Sequence, residues 1–188
     1  YSSLIKKSTA KTMTGKQVDT IFDIGGHEKF MTSMMQYAST SQIFIVCYDI
    51  TKGGTFNNVT KWMNRIIQNV SLDMQYHSVV LVGTKYDLVV DTKYKNKKRE
   101  WLDNQRINHN QVPVSELQKM LPKIRSSTAF ETSAKTGVNV QSLFDCIGKM
   151  AYNSFIIGTL NQLGKSGNNN RAHAFCEKMG YYPNLVRI

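Results

Sequence analysis

The chain has 188 residues and a mass of 21.4 kDa, with 41% hydrophobic and 20% charged residues, which suits one domain with a sizeable core and excludes a disordered or fibrous protein. Its longest clear apolar run, residues 43–48, is far short of the roughly 20 residues a membrane-crossing helix needs, and no basic-apolar-small pattern marks a secreted precursor. The net charge of +11 invites a nucleic-acid partner, but much of it lies in one run (Lys93, Lys95, Lys97, Lys98 and Arg99) that reads as a solvated face, with aromatic neighbours only at Tyr94 and Trp101, so none is expected.

Cys47, Cys146 and Cys176 are too few and too scattered for a disulfide framework or a zinc site. A reducing, cytoplasmic location is therefore expected, with a place at the periphery of membranes left open. Short apolar runs alternate with longer amphipathic ones, as in βα units around a mainly parallel sheet. Residues 16–24 are expected to form a strand entered through Thr14-Gly15. Residues 43–49 form an unbroken apolar run closed by an acid, the pattern of a strand buried on both faces. Phe56, Val59, Trp62, Met63, Ile66, Ile67 and Val70 recur at three- and four-residue spacing and predict a helix over 55–70.

Residues 79–82 are the next expected strand, closed by Gly83. Residues 91–110 are polar, basic and asparagine-rich, as in an inserted surface segment. A short helix over 115–123 follows Pro113, then a strand over 129–132 and a helix over 140–150 that turns Leu143, Phe144, Ile147 and Met150 inward. No internal repeat is present, and residues 1–188 read as a single domain.

Three loops follow three of these strands, at the end where open α/β sheets bind ligands. They are Asp23-Ile24-Gly25-Gly26-His27-Glu28-Lys29-Phe30, Gly83-Thr84-Lys85-Tyr86-Asp87-Leu88 and Glu131-Thr132-Ser133-Ala134-Lys135. Each alone is commonplace: a lone Asp23 reads as a helix cap, and Thr84 to Asp87 as a strand-end turn. In this order and spacing they resemble the Ras superfamily of small GTPases over about residues 15–150. Tyr48-Asp49-Ile50-Thr51 and Thr55-Phe56-Asn57-Asn58-Val59-Thr60-Lys61-Trp62 are similar to Rab proteins in particular.

The resemblance implies a P-loop NTPase fold: an α/β domain whose central, mostly parallel six-stranded sheet carries helices on both faces. It also implies GTP and GDP as ligands and Mg²⁺ as cofactor. A carboxylate such as Asp23 beside phosphates repels them unless a cation lies between, and the matching family residue holds Mg²⁺ through water. Gly26 matches the residue whose N–H senses the γ-phosphate. Asp87 matches the acceptor of guanine N1–H and the exocyclic amine; adenine offers neither donor, and a carboxylate left unpaired is costly. Thr84, Lys85, Ser133, Ala134 and Lys135 match the remaining guanine-reading positions. Thr84 stands where most of the superfamily has Asn, although Rho members share a Thr-Lys-x-Asp form. His27 replaces the Gln with which Ras and Rab proteins orient water; Sar and translational GTPases place a His there. The Asp87–Ser133 interval approaches the Rho arrangement, and residues 91–110 supply the excess.

The family's Gly-x4-Gly-Lys-Ser/Thr phosphate loop has no match before Asp23. Residues 153–188 offer a candidate, Phe155-Ile156-Ile157-Gly158-Thr159-Leu160-Asn161-Gln162-Leu163-Gly164-Lys165-Ser166, with five residues where the motif has four. Read as strand and loop, it makes the chain circularly permuted, with Gly164 and Lys165 on the phosphates and Ser166 on Mg²⁺. Joining the ends would set Ser166 about 45 positions ahead of Asp23, against about forty on the motif's usual layout. The alternatives are a helix continuing through Phe155 into a variable tail, in an N-terminally truncated chain, and a second GTPase domain that begins near Phe155 and is cut short.

The resemblance implies a slow GTPase switch that works through protein effectors, an exchange factor and an activating protein. Residues 32–37, apolar and rich in Met, match the second switch helix and an effector face. The competing expectation is a catalytically degenerate scaffold with the same fold. Leu185-Val186-Arg187-Ile188 does not fit a prenylation motif, so membrane attachment is unsupported here.

Overall fold

Buried parallel strands need long crossovers, and helices supply them. The computed structural model describes residues 5–11, 18–26, 31–70, 77–89, 112–126 and 128–165. The strands are β1 (Ile5–Lys11), β2 (Val18–Ile24), β3 (Ile43–Asp49), β4 (Ser78–Thr84) and β5 (Thr128–Glu131). The helices are α1 (Met31–Ala38), α2 (Gly53–Asn69), α3 (Val114–Lys123) and α4 (Val140–Lys165). Strands β3, β4 and β5 form a parallel sheet in that order, with Asp49 opposite Thr84 and Gly83 opposite Glu131. Strands β1 and β2 pair antiparallel as a separate two-stranded sheet. The described strands thus lie in two sheets. Strand β1 was not anticipated. The inserted segment 91–110 and His27 lie outside the described residues.

Strand β4 is the middle of the parallel sheet, and its side chains divide between two cores. Val79 and Leu81 join Phe44, Val46 and Tyr48 of β3 against Phe56, Val59, Met63 and Ile66 of α2 and Leu117 and Met120 of α3. On the other face, Val80 and Val82 pack with Leu143 and Ile147 of α4. Burying each such side chain stabilises the fold by about 1.5–3 kcal/mol. The three- and four-residue spacing in α2 sets its four buried residues along one face. Strand β3 departs from expectation because it alternates: Ile45 and Cys47 are exposed. It sits at the edge of the described parallel sheet, where α4 covers its second face only near Ile43.

Helix α4 corrects a second expectation. Residues Phe155, Ile156 and Ile157 are helical rather than extended, and the helix runs unbroken from Val140 to Lys165. Ile156 is fully buried while Phe155 is half exposed, as expected of a helical surface rather than of a buried strand. A phosphate cradle needs backbone N–H groups free to point at the ligand, and these occur in the first turn of a helix. Gly164 and Lys165 instead occupy the last turn, where N–H groups are directed to carbonyls four residues back. The strand expected at residues 155–157 is thus helix, and Gly164 and Lys165 stand at the end of that helix. The alternative of a continuing helix is what the chain adopts. Ser166 lies outside the described residues. Among the described residues no helix is long and apolar enough to cross a membrane.

Candidate functional site

The parallel register brings the C-terminal ends of three strands side by side. Asp49 closes β3, Thr84 closes β4, and Glu131 closes β5. The loops that follow are tied to one another by their backbones. Thr132 N–H donates to Gly83 O at 2.7 Å, and Tyr86 N–H donates to Thr132 O at 2.9 Å. The Thr84 hydroxyl donates to Tyr48 O at 2.9 Å, so it braces the loop against β3. Gly83 is required for close approach: a Cβ there would lie 2.7 Å from Tyr48 Oη and 2.8 Å from Ile50 Cγ1.

The central contact joins the second and third loops. Ser133 is fully buried, and its hydroxyl donates to Asp87 Oδ1 at 2.6 Å while accepting the Thr136 N–H at 3.2 Å. The carboxylate of Asp87, half-buried, is thereby oriented and keeps acceptor capacity for further donors. Ser133 is itself fixed by a tight turn. Its N–H donates to Val138 O and its carbonyl accepts the Gly137 N–H, with Gly137 at φ 76° and Asn139 at φ 57°. The Asn139 amide donates to Glu131 O at 2.8 Å, closing the turn onto β5. Ala134 and Lys135 are exposed at its outer side.

Lys85 adopts a left-handed backbone, φ 66°, which costs a non-glycine residue about 1–2 kcal/mol. Its ammonium pairs with Asp49 Oδ2 at 2.7 Å. Asp49 Oδ1 accepts both the N–H and the hydroxyl of Thr51. Burial pushes the Asp49 carboxyl up, but the hydrogen bonds from Lys85 and Thr51 and the Lys85 charge outweigh it and hold its pKa below the usual value. The hydroxyl of Thr55 accepts the Asp49 N–H at 3.0 Å and reaches Lys52 O at 2.7 Å, tying the strand end to the first turn of α2. The sequence reading used Asp49, Thr51 and Thr55 only as part of the Rab likeness and gave Asn139 no role. The signal was present for Asp49, an acid ending an apolar strand.

The first loop lies beyond β2. Asp23 is exposed, and Gly26 lies beside Trp62, where an added Cβ would be in ordinary contact at 4.0 Å. Asp23 also lies near β3: although Cys47 presents surface to solvent, desolvation of its thiol and then the Asp23 charge raise the thiol pKa. The structure thus unites Thr84, Lys85, Asp87 and Ser133. It places Asp23 and Gly26 at the end of the neighbouring hairpin, and leaves Gly164 and Lys165 in the last turn of α4.

A sequence model described as the Ras family matches residues 3–153. The Ras-related protein RABE1d of Arabidopsis thaliana is 30% identical over 138 residues, 73% of this chain and 54% of that protein. The Ras-related protein RabO of Dictyostelium discoideum is 27% identical over 161 residues, 85% of this chain and 64% of that protein. The GTP-binding protein YPT53 of Saccharomyces cerevisiae is 28% identical over 139 residues, 73% of this chain and 56% of that protein. The chain therefore spans between about half and two thirds of the length of these relatives. With a family match over most of its length, and with strand-end loops joined through Ser133 and Asp87, the chain belongs to the Ras family of small GTPases and has their P-loop NTPase α/β fold.

Proposed function

We propose that this chain binds GTP and GDP at the Asp87–Ser133 end of its parallel sheet, hydrolyses GTP by attack of water on the γ-phosphate, and acts as a switch. The observation that carries this reading is the 2.6 Å contact from the buried Ser133 hydroxyl to Asp87 Oδ1. It sets a carboxylate at the strand-end crevice with acceptor capacity for the two donors of a guanine edge. In this reading Asp87 accepts N1–H and the exocyclic amine, the Ala134 N–H meets the guanine oxygen, and Lys85 lays its stem along the base. Thr84 braces the loop, and Lys135 flanks the base.

Asp23 suits Mg²⁺: an exposed carboxylate is a hard oxygen donor, and this ion takes one or two carboxylates together with substrate phosphates. Among the described residues no group of three acidic, His or Cys side chains forms a cage made by protein alone. Asp23 would hold the ion through water, and the ion would neutralise phosphate charge. Gly26 would sense the γ-phosphate, and His27 would orient or polarise the attacking water. Effectors and regulators would read the switched state, with α1 among the surfaces they meet.

A second reading, a scaffold of the same fold without catalysis, is favoured by one observation: residues 155–165 are helix rather than strand and loop. Mg²⁺-dependent binding of fluorescent GDP decides between the two. The switch reading expects binding that Asp87→Ala weakens at least about a hundredfold, the scale of losing charged hydrogen bonds, and GTP turnover that His27→Ala slows. Failure of the parent chain to bind would leave the scaffold.

A further inference from the structure

We propose that Asp49 is a positioning residue of the guanine loop, holding Lys85 in place from the neighbouring strand; the proposal rests on the guanine reading of Asp87 and Ser133. Strand register carries it first. Asp49 stands opposite Thr84, so the end of β3 lies beside the start of the loop that contains Lys85 and Asp87. The chain then turns so that Asp49 Oδ1 is satisfied by Thr51, while Oδ2 takes the Lys85 ammonium at 2.7 Å.

The pair contributes little to stability. The Lys85 side chain is 52% exposed, and ion pairs of that exposure hold long side chains at little net gain. Its consequence is geometric. Lys85 is held at φ 66° by its neighbours: Leu88 N–H donates to Lys85 O at 3.0 Å, and Tyr86 N–H is anchored on Thr132 O. Strained residues persist at functional sites only when their surroundings over-determine them. The Asp49 contact fixes the one part of Lys85 that the backbone leaves free, the long stem and ammonium that would lie along the base. Thr55, which accepts the Asp49 N–H, links that anchor to the first turn of α2.

The variant Asp49→Asn keeps an amide oxygen for Thr51 but turns a donor, or a neutral oxygen, toward Lys85. Two readouts test the role in the intact chain. The first is the rate at which an amine-reactive reagent labels Lys85, followed by peptide mass spectrometry. It is expected to rise about threefold or more in Asp49→Asn and to return toward the parent rate in Asp49→Glu. The second is fluorescent-GDP affinity, expected to fall about fivefold in Asp49→Asn, to recover in Asp49→Glu, and to be no worse in Asp49→Asn/Lys85→Ala than in Lys85→Ala alone. An unchanged labelling rate overturns the proposal, as does unchanged or tighter GDP binding by Asp49→Asn. Additive losses in the double variant also overturn it. GDP binding that ignores Asp87→Ala overturns the guanine reading itself and removes the positioning role with it, a result distinct from failure at Asp49 alone.

Discussion

Replacing Ser133 by Ala removes one oxygen from a site where that oxygen has two partners. The hydroxyl donates to Asp87 Oδ1 at 2.6 Å and accepts the Thr136 N–H at 3.2 Å, and the residue is fully buried. A hydrogen bond to a charged group contributes about 1.5–3 kcal/mol, and each 1.4 kcal/mol is a factor of ten. Ser133→Ala should therefore weaken GDP binding about 10- to 100-fold, because Asp87 loses the contact that aims it. The added loss of the Thr136 acceptor should lower unfolding stability by about 1 kcal/mol, since that N–H is at the loop surface and finds water. Titration with fluorescent GDP and urea unfolding of the same preparations separate the two effects. Affinity within twofold of the parent, alongside a large loss in Asp87→Ala, would mean that Asp87 is oriented by something other than Ser133.

Gly83→Ala should destabilise the chain by about 1–3 kcal/mol through overpacking against Tyr48 and Ile50, both buried, whereas Gly54→Ala, with open space around it, should be neutral or stabilising in thermal unfolding. Gly158→Ala lies within α4 with nothing in reach of the new Cβ, so it should raise stability by about 0.5–1 kcal/mol and leave nucleotide affinity unchanged; a loss of nucleotide binding would contradict the helical assignment. The Asp49 carboxyl is held below its usual pKa, so its contribution to stability is present above the unfolded-state value of about 3.9 and is lost as pH falls through the lower folded value. Urea midpoints measured across that acidic window should therefore drop more steeply for the parent than for Asp49→Asn.

Residues 43–49 and the helix after them were legible as elements because an apolar run and three- and four-residue spacing mark a strand and a helix that face a core. The same logic could not separate strand from helix at Phe155-Ile156-Ile157, since a short apolar run satisfies both. The unbroken hydrogen bonding of α4 settled it, against a Gly-Lys-Ser motif that pointed the other way. Strand β1 was missed because its sequence, IKKSTAK, carries almost no apolar signal; pairing with β2, residue by residue from Ile5 and Ile24 to Lys11 and Val18, makes it a strand. Strand β3 read as buried on both faces because its residues are apolar throughout, yet its place at the edge of the described parallel sheet leaves Ile45 and Cys47 exposed.

Residue types at set spacings along the chain were enough to point to the family and to single out the strand-end loops as candidates for reading a guanine. The contacts of Ser133 with Asp87 across 46 positions and of Asp49 with Lys85 across 36 came from the folded chain alone. Such contacts follow from parallel register between strands distant in sequence, and no local pattern of residues encodes that register.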